Sequence, residues 1–169
     1  FNGLGSSNTH LKNKIYLSIG TPEQSSQEIA ILAQDKNSMF GKIFSIDLKT
    51  KDYDMISMGH RNPQGLFYIK NLNIIINTEH GPKGGDEINI NFQEDDEIPN
   101  FGWDVSSYGT PYTGSADPYK KSHAKYGFIE PFKYYVPSIG ISQIVYMPKK
   151  FNLYNENSLY ISSLRAGSI

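Results

Sequence analysis

The stretch that decides the fold runs from Gly59 to Ile90: GHRNPQGLFYIKNLNIIINTEHGPKGGDEINI. It contains three short apolar runs, Gly65–Ile69, Asn73–Asn77 and Glu87–Ile90, each rich in β-branched or aromatic residues and bounded by Gly, Asn, Pro or Lys-Asn turns. Runs this short between turn signals read as β-strands. Between them lie His60, Arg61, Asn62, Gln64, His80, Asp86 and Glu87, more donors and acceptors than the strands need in order to fold.

The same pattern extends outward. Ile15–Ile19, Lys42–Leu48, Gln143–Met147 and Ser158–Ser162 read as further strands, and the one helix-like window is Ser25–Gln34. Strand follows strand without intervening helices, so the fold class is all-β. A polar turn, an apolar strand and a small-residue exit recur at Lys12–Gly20, Lys70–Thr78 and Asn155–Ser163. Recurrence at spacings stretched by insertions suggests propeller blades, with a β-sandwich as the competing architecture. Phe92–Pro131 reads as one long ordered loop, and its acidic run Glu94–Glu97 as a solvated turn.

Composition narrows the function classes. The 169 residues are 38% hydrophobic and 20% charged, a globular balance, with a formal net charge of −1. No basic excess is present to collect phosphates, which argues against a nucleic-acid partner. No apolar run approaches the ~20 residues of a membrane span. Cysteine is absent, so disulfides and thiolate chemistry are excluded for this chain. Of 16 basic residues only Arg61 and Arg165 are arginine, the residue suited to forked recognition of a carboxylate or paired oxygens.

Six ordered pieces carry a resemblance: Gly59-His60-Arg61-Asn62-Pro63-Gln64-Gly65-Leu66, His80-Gly81-Pro82, Asp86-Glu87-Ile88-Asn89, Asn100-Phe101-Gly102-Trp103, Val136-Pro137-Ser138-Ile139 and Ser162-Ser163-Leu164-Arg165. Together the chain resembles the soluble quinoprotein glucose/sorbosone dehydrogenase family, which includes the aldose sugar dehydrogenases. The resemblance implies a six-bladed β-propeller holding pyrroloquinoline quinone (PQQ) and Ca²⁺. This chain would cover about three blades, a half-propeller, with approximate units at 1–62, 63–135 and 136–169. It implies Arg61, Asn62, Ser138 and Arg165 as cofactor-binding residues. The carbonyls of Gly81 and Pro82 are implied as Ca²⁺ ligands, with Gln64, Asp86 and Glu87 as bracing groups. The resemblance also implies a small-molecule sugar as substrate, oxidised at its anomeric hydroxyl to a lactone, and a periplasmic or extracellular location. Completion by another half-propeller is expected, from a missing part of the chain, a sister chain or a second copy, because an open half exposes unpaired edges.

The family pattern departs at its catalytic positions. Counting back without gaps from the exit Leu17-Ser18-Ile19-Gly20-Thr21 places Asn2 at the base position and Thr21 at the aspartate that orients it. An amide accepts no proton near neutral pH, and general-base catalysis is typically worth ~10²–10⁴-fold. Two functions therefore stand side by side: part of a sugar dehydrogenase, or a non-catalytic propeller module binding a sugar, metal or protein partner. A purely structural domain is the third reading. Among the other candidates, His60 reads as a hydrogen-bonding link to a neighbouring blade and His80 as a loop cap. His10 and His123 read as surface residues, and Phe101 and Trp103 as core.

Overall fold

A computed structural model describes residues 8–11, 13–22, 30–92, 97–112, 116–151 and 153–165, and the side chains of 8–11 are not described. Asn2 and acidic residues 94–96 lie outside these. So does half of the helix-like window, residues 25–29, and the described half holds a single 3₁₀ turn, Ile31–Ala33.

Ten strands are present among the described residues: β1 (Asn8–Leu11), β2 (Lys14–Ile19), β3 (Lys42–Asp47), β4 (Tyr53–Met58), β5 (Pro63–Ile69), β6 (Ile74–Glu79), β7 (Asp86–Phe92), β8 (Lys133–Tyr135), β9 (Ile141–Met147) and β10 (Ser158–Ser163). They form three antiparallel sheets in simple up-and-down order: β1-β2-β3-β4, β5-β6-β7-β8 and β9-β10. The first strand of the middle sheet, β5, packs against β1 and β2 on one side and β9 on the other. Sheets stacked through their first strands are consecutive blades of a β-propeller. Among the described residues no helix is long and apolar enough to cross a membrane.

The run Ile74-Ile75-Ile76 explains the stacking. In a strand, successive side chains point to opposite faces. Ile74 and Ile76 join Ile69, Ile88, Ile141 and Ile144 in the core toward the third sheet. Ile75 joins Tyr16, Ile43 and Leu66 in the core toward the first. A sheet buried on both faces needs a continuous apolar strand, not an alternating one.

From Asn77 onward the same strand turns polar, yet Asn77, Thr78 and Glu79 remain buried. Register shows why this end matters. Pro63 pairs with Glu79, Glu79 with Glu87, and Asp86 with Tyr135. In the first sheet, Ile19 pairs with Lys42 and Lys42 with Met58. The turns after β2, β4, β6 and β8 therefore open at one end of the sheets. The stretch 97–112 reaches the same end: Pro99 O and Phe101 N hydrogen-bond the backbone of Met58 at the end of β4.

Candidate functional site

The site is built from the β4–β5 crossover (Gly59–Asn62), the β6–β7 turn (His80–Gly85) and the stretches 97–112 and 116–132. These enclose a small cleft lined by Arg61, Glu79, His80, Gly81, Glu87, Trp103 and His123, among others.

Its floor is a buried polar network centred on Glu79, 3% exposed at the end of an otherwise isoleucine strand. Oε1 accepts from His60 Nδ1 at 3.1 Å and Asn89 Nδ2 at 2.5 Å, and Oε2 accepts from the Arg61 backbone N–H at 2.8 Å. His60 is fully buried, takes the Ser57 hydroxyl at 2.9 Å on Nε2, and stacks on Phe101. It therefore ties β4 of one sheet to β6 of the next. Burial pushes the Glu79 carboxyl upward, but the His60 charge and hydrogen bond, the Arg61 N–H and His123 outweigh it, leaving the group below its usual range. Glu87, its neighbour across the ladder, goes the other way. Burial first, and then the Glu79 charge, raise it well above the usual carboxylate range. Two carboxyls so close in a low-dielectric interior do not both ionise readily.

Arg61 is held by a backbone carbonyl and an aromatic face. Its guanidinium donates to His80 O at 3.2 Å and lies 5.4 Å above the Trp103 ring. Asn62 shares this crossover: its carbonyl accepts from His80 N at 3.0 Å, and Gln64 Nε2 donates to its side-chain oxygen at 3.0 Å.

The turn after β6 is as compact as backbone permits. A Cβ on Gly81 would meet Gly85 O at 2.2 Å. Gly81 and Pro82 are buried, and no backbone donor among the described residues bonds either carbonyl. Among the described residues no cluster of three or more His, Asp or Glu side chains is arranged to hold a metal ion.

Asp86, Ser138 and Arg165 form a second group at the β8–β9 crossover. Asp86 accepts from Ser138 Oγ at 2.8 Å and Ile141 N at 3.0 Å. Arg165 is exposed and donates to Ser138 O at 3.2 Å. The two groups are joined through Ile141, whose carbonyl accepts from His80 Nε2 at 2.5 Å. His80 thus fastens one blade to the next, where its position before Gly-Pro suggests a loop cap.

His123 corrects the surface expectation. It is 1% exposed, because residues 116–132 pack on 97–112 so that its Nδ1 donates to Phe101 O at 2.9 Å and its ring stacks on Tyr108. Its Nε2 lies 3.5 Å from Glu87 Oε1 without a hydrogen bond, and burial holds its pKa below the usual value. Thr21 is buried and donates from both its backbone N (2.7 Å) and its hydroxyl (3.0 Å) to Arg61 O. Glu79 escapes a motif-based reading. Its one sequence signal is an acidic residue closing an isoleucine strand.

The chain matches the Glucose / Sorbosone dehydrogenase family over residues 5–169. It belongs to that family. It is 34% identical over 110 residues to the aldose sugar dehydrogenase YliI of Escherichia coli (strain K12), covering 64% of this chain and 28% of that protein. Its fold matches the apo soluble aldose sugar dehydrogenase from Escherichia coli with a TM-score of 0.81 at 26% identity, over 97% of this chain and 49% of that one. A crystal structure of glucose dehydrogenase matches with a TM-score of 0.73 at 28% identity, over 89% of this chain and 45% of that one. The chain thus spans about half the length of these solved relatives, as the half-propeller reading expects.

Proposed function

We propose that this chain contributes the cofactor-binding half of a PQQ- and Ca²⁺-dependent aldose dehydrogenase, with the remaining blades supplied by further chain or a second polypeptide. The observation that carries this reading is Arg61. It is a preset, half-buried cation at a cleft whose adjoining turn offers the buried Gly81 and Pro82 carbonyls, on a chain of the glucose/sorbosone dehydrogenase family.

In this reading Arg61 and Asn62 hold the quinone, and the Gly81 and Pro82 carbonyls hold Ca²⁺. Ser138 and Arg165 border the cofactor. Gln64 braces Asn62, and Asp86 braces Ser138, matching the bonds they make. When bound, PQQ supplies the two-electron acceptor for oxidation of a sugar anomeric hydroxyl to a lactone. The chain's own part is to bind and orient. A guanidinium fork suits a carboxylate or paired quinone oxygens, and its fixed place on Trp103 reduces the ordering cost of binding.

One observation favours a second reading, a binding module without turnover. Thr21, at the position of the base-orienting aspartate, spends its hydroxyl on the Arg61 carbonyl. The proton acceptor would then come from outside the described residues, or be absent. Titration of the protein with PQQ in Ca²⁺ and in chelator, followed by quinone absorbance, tests the cofactor reading. Saturable, Ca²⁺-dependent binding is expected, and absence of binding at high micromolar PQQ would remove it. Turnover of aldoses with an artificial electron acceptor then separates dehydrogenase from binding module.

A further inference from the structure

The exit of β2 has a role that the catalytic pattern does not give it. Gly20 and Thr21 lie directly against the crossover that carries Arg61. A Cβ on Gly20 would meet Arg61 O at 3.0 Å and Asn62 Cα at 3.3 Å, so a larger residue here would push the two backbones apart by a few tenths of an ångström. The next residue then places two donors on one acceptor: Thr21 N and Oγ1 both reach Arg61 O, at 2.7 and 3.0 Å. On the other side of the same residue, Glu79 Oε2 accepts from Arg61 N at 2.8 Å. Both peptide groups of Arg61 are thereby fixed by buried partners from two different sheets. Its side chain is fixed by His80 O and the Trp103 face.

We infer that Thr21 is a positioning residue for Arg61. Where the family pattern has an aspartate that orients a base, this chain uses a hydroxyl to clamp the arginine crossover, with Glu79 as the opposing jaw. A single buried hydrogen bond is worth about 1 kcal/mol net, so loss of the hydroxyl loosens the crossover without abolishing it. The backbone N–H of Thr21 remains in any variant other than proline.

The test compares Thr21→Val, which is near in shape but lacks the hydroxyl, with Thr21→Ser, which keeps it. Thr21→Ala serves as the second deletion should the valine variant not fold. The first readout needs no cofactor: the ¹⁵N relaxation of the Arg61 Nε–H group. In wild type and Thr21→Ser this group is as rigid as the surrounding backbone, and in Thr21→Val it becomes mobile. The second readout is PQQ affinity, which rests on the proposed function. Thr21→Val weakens it by about fivefold, the equivalent of one hydrogen bond, Thr21→Ser preserves it, and in an Arg61→Lys background Thr21→Val has no further effect. An Arg61 Nε–H group equally rigid in Thr21→Val overturns the inference. So does an affinity loss of the same size in the Arg61→Lys background, which would show that Thr21 acts by a route other than the arginine. Failure of the wild type to bind PQQ removes the proposed function instead, and the relaxation readout then decides the inference alone.

Discussion

Replacing Glu79 is the sharpest test of how the site is held. Its carboxylate accepts three buried hydrogen bonds, from His60 Nδ1, Asn89 Nδ2 and Arg61 N. Glu79→Ala leaves all three donors buried without an acceptor. Each unsatisfied buried donor costs about 1–3 kcal/mol, a nominal sum of about 3–9 kcal/mol. Two effects pull that down. The His60 imidazole can change tautomer, and the Glu87 carboxyl is relieved of a neighbouring charge. Removing one partner of a buried pair typically costs about 3–5 kcal/mol, and we expect a value in that range. Glu79→Gln keeps the volume and one acceptor oxygen but turns a donor toward a donor, for about 1–3 kcal/mol. Urea unfolding of the purified variants measures both, with an unchanged denaturant slope showing that only stability moved. Because domains are stable by only about 5–15 kcal/mol, the alanine variant should unfold at markedly lower urea. An alanine variant within about 1 kcal/mol of wild type would show instead that the network is an assembly of replaceable contacts. The order Ala worse than Gln matters as much as the size.

Other outcomes follow from the same contacts. Glu87 has its folded pKa raised, so its contribution is favourable below the unfolded carboxylate pKa and is lost as pH rises through the folded value. Glu87→Gln should therefore raise the melting temperature at neutral pH, by about 2–4 °C for each kcal/mol gained, and give no gain at pH 3; a gain of equal size at both pH values would contradict this. Lys42 is buried with its ammonium on the carbonyls of Leu32, Ala33 and Phe40, and burial lowers its pKa to about 8. Between pH 8 and 10 the unfolded chain binds more protons at this residue, so wild type should gain stability relative to Lys42→Met across that window, and parallel pH curves would count against the assignment. Gly81→Ala should lose Ca²⁺ binding together with about 1–3 kcal/mol of stability, because its methyl would overlap Gly85 O. Calorimetric Ca²⁺ affinity equal to wild type would show that the turn does not hold the ion.

Most of the sheet framework was legible in the chain because its central strands carry the β-branched signal. β6 is buried on both faces, and Ile74-Ile75-Ile76 declares it. β4 and β8 left weaker traces for the same physical reason reversed. Tyr53-Asp54 and Lys133-Tyr134 are exposed on outer strands, where packing places little demand on sequence. Motifs singled out Arg61, Gly81 and Ser138, and the structure places Arg61 and Gly81 at the cleft and Ser138 on Asp86. Glu79 and His123 were not singled out, since each acts through burial. A carboxylate or imidazole is assigned to water by default until the stretches 97–112 and 116–132 or an adjoining sheet are seen to cover it. Thr21 illustrates the limit most directly. Its residue type indicates what it cannot do as a partner of a base, and only the approach of Gly20 to Arg61 shows what it does.

We propose that Arg61 and the Gly81–Pro82 turn together form a Ca²⁺-dependent quinone site. The most direct measurement is PQQ affinity of wild type and Arg61→Ala, each in saturating Ca²⁺ and in chelator. Wild type should bind tightly only in Ca²⁺, and the substitution should weaken that binding at least tenfold, as loss of a charge-assisted pair worth about 1.5–3 kcal/mol requires. PQQ affinity indifferent to chelator, or unchanged in Arg61→Ala, would contradict it.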